Sequence, residues 1–105
     1  MNEETIMTMI SYAGAGRCKL VEAMREAAKG NYEKAYELIE LSDSDITTCH
    51  KAQTEALFSI CNENDVNPKI SVLLIHAMDQ VMDTMNMRDM VIEMINLVKG
   101  RIDDD

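Results

Sequence analysis

Apolar residues recur at intervals of three and four along most of this chain, and no stretch alternates convincingly with a period of two, so the pattern predicts helices throughout. The first helical segment runs from about Thr5 to Lys29 and aligns Ile6, Met9, Ile10, Ala13, Leu20, Val21, Met24 and Ala27 on one side. Gly30-Asn31 reads as the turn that follows. Gly14 and Gly16 fall inside this segment, where each costs roughly 1 kcal/mol against alanine, which predicts a close helix crossing or a local kink. The second segment, about Tyr32 to Cys61, gathers Ala35, Ile39, Ser42, Ile46, Cys49, His50, Gln53, Ala56, Leu57 and Ile60 on its inward side. Polar turn formers from Asn62 to Asn67 then precede Pro68, a residue suited to the first turn of a new helix.

The third segment, from about Lys69 to Val98, is apolar over far more than one stripe, and a helix of that kind needs neighbours on several sides. Three helices in one antiparallel stack cannot cover it fully, so third helices of several subunits are expected to meet. The fold class that follows is all-α, with three long antiparallel helices per subunit assembling into a larger helical bundle. By length, residues 1–105 make a single domain. Residues 101–105, which end in three aspartates after Gly100, read as a frayed acidic tail.

Composition narrows the function classes. A hydrophobic content of 47% excludes a disordered chain, while 4% aromatics and no tryptophan assign the core to Met, Leu, Ile, Val and Ala, with the ten methionines expected inside it. The net charge of −9, with basic residues scattered, excludes a nucleic-acid footprint. It suits a small basic protein partner, although an acidic surface is also the ordinary route to solubility. Cys18, Cys49 and Cys61 follow no C-x-x-C spacing and read as reduced, packed thiols. Without a charged-then-apolar leader, or an apolar run near the roughly 20 residues a membrane helix needs, the expected location is cytoplasmic, with no insertion into a membrane.

Candidate chemistry concentrates in Leu73-Leu74-Ile75-His76-Ala77-Met78-Asp79-Gln80-Val81-Met82-Asp83. On a helix, His76, Asp79, Gln80 and Asp83 form one stripe. A histidine in low-polarity surroundings with an aspartate one turn away keeps a fixed tautomer and offers its free nitrogen to an electrophile, as a phosphohistidine carrier requires. Taken alone, these residues equally allow a hydrogen-bonded, partly buried histidine, and His50 is explained as well by an interior hydrogen bond. Asp79 and Asp83 are each able to orient the His76 ring or to pair with a cation. No Gly-x-x-x-x-Gly-Lys loop is present to hold a nucleotide.

Several segments in order match a known family. They are Ala13-Gly14-Ala15-Gly16-Arg17, Ala27-Ala28-Lys29-Gly30-Asn31-Tyr32-Glu33-Lys34-Ala35, Cys49-His50-Lys51-Ala52-Gln53-Thr54 and Val72 through Met82. Over almost its whole length the chain resembles the lactose/cellobiose-specific enzyme IIA component of the bacterial phosphoenolpyruvate-dependent sugar phosphotransferase system. The resemblance implies an all-helical cytoplasmic homotrimer that accepts a phosphoryl group from the general phosphocarrier HPr and passes it to a cysteine of the cognate IIB, for uptake of a lactose- or cellobiose-like sugar. The family's acceptor histidine matches His76, with Gln80, Met78, Asp83, His50 and Gln53 as the supporting set. The family's aspartate matches Asp79, three copies of which would surround a divalent cation such as Mg²⁺ on the trimer axis. Three converging carboxylates need such a hard cation, or protons, to coexist. Two positions depart from the motif. Met78 stands where the family has glutamine and contributes packing only, and Gln80 stands where it has a second histidine and cannot be a cation. These departures leave a second reading open, a non-catalytic trimeric regulatory or interaction protein on the same scaffold.

Overall fold

The computed structural model describes residues 3–62 and 68–104, and among them it contains three helices and no strand. Helix α1 spans Glu3–Ala28, α2 spans Tyr32–Asn62 and α3 spans Pro68–Asp104. At 1.5 Å per residue they are about 39, 47 and 56 Å long. Laid side by side they give a rod of 60 × 18 × 17 Å. The turn read at Asn62 to Pro68 falls mainly on 63–67, outside the described residues, with Asn62 closing α2 and Pro68 opening α3. Helix α3 runs on through Gly100 to Asp104, so the tail is helical that far rather than frayed. A single glycine penalises a helix without ending it, and no proline follows.

The α1–α2 turn is built by Gly30, whose φ of 83° lies in the left-handed region that glycine adopts without steric cost. The Gly30 amide donates to the Ala27 carbonyl at 2.9 Å and the Asn31 amide to the Glu26 carbonyl at 2.9 Å. This Schellman pairing satisfies carbonyls that the end of α1 would otherwise leave open. Asn31 also starts α2, since its carbonyl accepts from the Ala35 amide at 3.0 Å. The carboxylate of Glu26 accepts from Asn31 Nδ2 at 2.9 Å, and this hydrogen bond, assisted by Lys29, lowers its pKa.

Two apolar clusters fill the rod. The first joins Ile6, Met9 and Ala13 of α1 to Cys49, Ala52 and Ala56 of α2 and Leu74, Ala77 and Val81 of α3. The second joins Leu20, Ala23 and Ala27 to Ala35, Leu38 and Ile39 and to Val91 and Ile95. A polar layer of Ser42, Asp45 and Thr84 lies between them, all three buried. Asp45 is ion-paired to Lys19, and Thr84 Oγ1 lies 3.0 Å from the carbonyl oxygens of both Ala13 and Gln80. Gly16 packs against this layer, because a Cβ there would stand 3.4 Å from Thr84 Cγ2 and 3.5 Å from Asp45 Cβ and Ile46 Cγ1, in contact with all three. The predicted close crossing is therefore at Gly16, whereas Gly14 has nothing within 4 Å of its Cβ direction.

Three expectations about the interior need correction. His50 and Leu57 of α2 are exposed, and their places inside are taken by Leu38, Asp45 and Ala52. Of the methionines only Met9 is buried among the described residues; the flexible thioethers mostly line the outer face of α3 and its boundary with α1. Cys49 is packed and its thiol pKa is pushed up by burial, but Cys18 and Cys61 are exposed. The second helix is fastened to the third along its edge by Arg88, which donates through Nε and Nη2 to the Asp43 carboxylate, and by Tyr36, which donates to Asn96. Lys99 sits 5.5 and 5.9 Å from the ring centres of Tyr36 and Tyr32.

Candidate functional site

Helix α3 buries Leu74, Ala77, Val81, Thr84, Val91 and Ile95 against the other two helices. The side turned outward carries Val72, Ile75, Met82, Met90, Met94 and Leu97, exposed by 46 to 69%. Such an apolar stripe on a protein of this size marks a surface that meets another molecule. His76, Asp79 and Asp83 are exposed within it and Gln80 is half-buried at its edge, so the predicted polar stripe is present. His76 makes no hydrogen bond among the described residues, so none of them fixes the orientation of the ring.

Other members of the predicted set are placed elsewhere. Two residues on a helix turn through about 200°, so Met78 points away from His76. It packs instead against the cluster around Leu74, Ala77 and Val81. His50 lies one heptad beyond Asp43, on the edge of α2 that Arg88 and Asn96 fasten to α3. His76 lies 12 residues from Arg88, a turn of about 120° around α3. A single chain therefore does not bring His50 beside His76. Gln53 is half-buried and its Oε1 is buried without a hydrogen-bond partner among the described residues.

A groove of about 570 Å³ runs between α1 and α3. Val21, Met24, Met87, Met90, Val91 and Met94 form its apolar length, and Arg17, Gln80, Asp83 and Asn86 border it as well. Arg17 was not among the predicted site residues; its signal was its position directly after Gly16 in Ala13-Gly14-Ala15-Gly16-Arg17. Among the described residues no three His, Cys, Asp or Glu side chains come together as metal ligands, and no helix is long and apolar enough to cross a membrane.

An exposed histidine on a helix face, set in an apolar and acidic stripe, has the layout of a group carrier that meets other proteins. Comparison with known proteins supplies the family. Residues 4–99 match the family described as the lactose/cellobiose-specific IIA subunit of the PTS system. The chain is 37% identical over 91 residues to the PTS lactose-specific EIIA component of Streptococcus mutans, covering 87% of this chain and 86% of that protein. It is 32% identical over 103 residues to the corresponding component of Staphylococcus epidermidis, covering 94% and 97%. Among solved structures, the PTS cellobiose-specific enzyme IIA of Bacillus anthracis superposes with a TM-score of 0.86 at 27% identity, over 100% of this chain and 96% of that one. The IIA(chitobiose) in a complex with HPr, from the N,N'-diacetylchitobiose branch of the Escherichia coli phosphotransferase system, superposes with a TM-score of 0.76 at 27% identity, over 93% of each chain. The chain belongs to the lactose/cellobiose-specific IIA family of the sugar phosphotransferase system, whose members are phosphoryl carriers.

Proposed function

We propose that His76 is the phosphoryl acceptor of this carrier, receiving the group from HPr and passing it to a cysteine of a IIB component during uptake of a lactose- or cellobiose-like sugar. The observation that carries the reading is the exposure of His76 on a stripe shared with Asp79, Gln80 and Asp83. One ring nitrogen of His76 attacks phosphorus, an N–P bond forms as the N–P bond to the donor histidine breaks, and the electron pair returns to the donor imidazole. The proton that His76 loses from its other nitrogen is matched by the one the departing imidazole takes up, so the transfer is proton-neutral. In-line approach of two protein histidines needs an acceptor that stands clear of its own chain. The net charge of −9 favours a basic donor. Support for HPr also comes from the IIA(chitobiose)–HPr complex, and for a cytoplasmic location from the family.

The assembly we propose is a homotrimer in which the outward faces of three α3 helices meet. The apolar stripe favours it, and Asp79, flanked by Ile75 and Met82, is the carboxylate that would converge there. Among the described residues no metal site is formed within one chain; a cation shared by three Asp79 side chains, a hard divalent ion such as Mg²⁺, would offset most of their charge. Of the two departures from the family motif, Met78 turns away from His76, which leaves Gln80 as the one that faces the chemistry. That favours the carrier over a non-catalytic scaffold.

Intact-mass analysis after incubation with phosphoenolpyruvate, enzyme I and HPr tests the reading. One acid-labile phosphoryl group is expected on the wild type and none on His76→Ala; label retained by His76→Ala would refute it. Native mass spectrometry of the same samples is expected to show three chains with a divalent ion that Asp79→Leu loses, and a monomer would refute the assembly.

A further inference from the structure

The phosphoryl group that His76 would carry arrives with negative charge in a neighbourhood that is already acidic. Asp79 and Asp83 are exposed on the same stripe, and Gln80 has an amide but no charge. Neither aspartate has an ion-pair partner among the described residues, and α3 places no basic residue within one turn of His76. Even with the proposed divalent ion on Asp79, Asp83 opposes transfer to such a site by like charge unless a further cation comes from another helix.

Arg17 is that cation in position. Among the described basic residues, Lys19 is tied to Asp45, Arg88 to Asp43 and Asp89, Lys29 to Glu26, and Lys99 to Tyr32 and Tyr36, while Arg25, Lys34 and Lys51 do not border the groove. Arg17 has no ion pair or hydrogen bond among the described residues, is exposed, and borders the groove that Gln80 and Asp83 also border. Two features of the fold place it there. Gly16 faces Thr84 of α3 and the Thr84 hydroxyl comes within 3.0 Å of the Ala13 carbonyl oxygen, which sets the level of Arg17 against α3. Helices α1 and α3 run parallel, since Ile6 and Met9 share a cluster with Leu74 while Leu20 and Ala27 share one with Val91 and Ile95. Side chains on a helix lean toward its N-terminus, so Arg17 leans along α3 toward Gln80 and His76, and Gln80 lies one turn, about 6 Å, below His76.

Resting on the carrier reading above, we propose that Arg17 is a positioning residue for phosphoryl transfer, its guanidinium offsetting the charge brought to His76 and taking the part that a histidine at position 80 cannot play in this chain. A guanidinium presents several fixed donors and stays protonated at every working pH, so it suits phosphoryl oxygens.

The test uses the full-length protein with phosphoenolpyruvate, enzyme I and HPr, comparing wild type, Arg17→Gln and the double variant Arg17→Gln/Gln80→His. Arg17→Gln is expected to slow phosphorylation of His76 about tenfold, the scale of one lost charge-assisted contact. In ³¹P NMR its phosphohistidine is expected to titrate at higher pH, because a neighbouring cation favours the dianion. The double variant should recover rate at pH 6, where the new imidazole is largely protonated. Two outcomes overturn the proposal while leaving the carrier intact: Arg17→Gln labelled at the wild-type rate, or slowed with an unmoved ³¹P titration, which marks a purely structural role. A wild type that takes no label overturns the carrier reading itself, and the role of Arg17 falls with it.

Discussion

Substitution of Gly16 tests the crossing that brings α1 against α3. An added Cβ would meet Thr84 Cγ2 at 3.4 Å and Asp45 Cβ and Ile46 Cγ1 at 3.5 Å, the near edge of ordinary contact. Alanine therefore fits, and it gains the roughly 1 kcal/mol of helix propensity that glycine forgoes. Gly14 supplies the internal standard, because nothing lies within 4 Å of its Cβ direction and Gly14→Ala should show the propensity gain alone. Valine at position 16 adds two methyl groups in a space already bounded on three sides, and overpacking of this kind costs about 1–3 kcal/mol. We expect Gly16→Ala to be neutral to about 1 kcal/mol more stable than wild type, and Gly16→Val to be about 1–3 kcal/mol less stable. Urea unfolding followed by circular dichroism, at one fixed chain concentration so that the proposed assembly does not enter the difference, gives the comparison. Gly16→Val unfolding at the same midpoint as Gly16→Ala would show that the crossing is not tight and would refute the argument.

Two further outcomes follow from the turn between α1 and α2. Gly30→Ala places a side chain at a φ of 83° and should destabilise by about 1–2 kcal/mol in the same assay; an unchanged midpoint would mean that the turn relaxes. Asn31→Ala removes the hydrogen bond that holds Glu26 below its ordinary pKa, so Glu26 should titrate at higher pH in NMR, and an unmoved titration would refute that cause. The sign for stability is set by the same shift: a carboxylate depressed in the folded state contributes stability above its unfolded pKa, and that contribution disappears as pH falls through the folded value. Asn31→Ala should therefore flatten the acid limb of the stability profile.

Helix number and the Gly30-Asn31 turn were legible because period and punctuation are local properties of the chain. The outward stripe around His76 was legible for the same reason, since residues three, four and seven apart share a face of any helix. The interior of α2 was misread where apolarity and burial part company. Leu57 is apolar but faces out, whereas Asp45 is charged and sits inside because Lys19 neutralises it from a helix 26 positions away. Nothing near Asp45 in sequence announces that partner. The place of Arg17 beside Gln80 and Asp83 was hard to read for a related reason: it depends on how α1 packs against α3, which is a property of the pair.

The unequal sharing of contacts among the helices has a consequence for the order in which the chain acquires its shape. Helices α1 and α2 meet along their length and are joined by a short, hydrogen-bonded turn, whereas α3 touches α2 sparingly. The α1–α2 hairpin closes a small loop and forms from neighbours in sequence, while α3 must dock afterwards onto a surface already made. Its backbone amides should accordingly be the first to exchange with solvent when the bundle breathes. The helix that carries His76 is then the least committed part of the chain, and the surface around that histidine is the last to take its final shape.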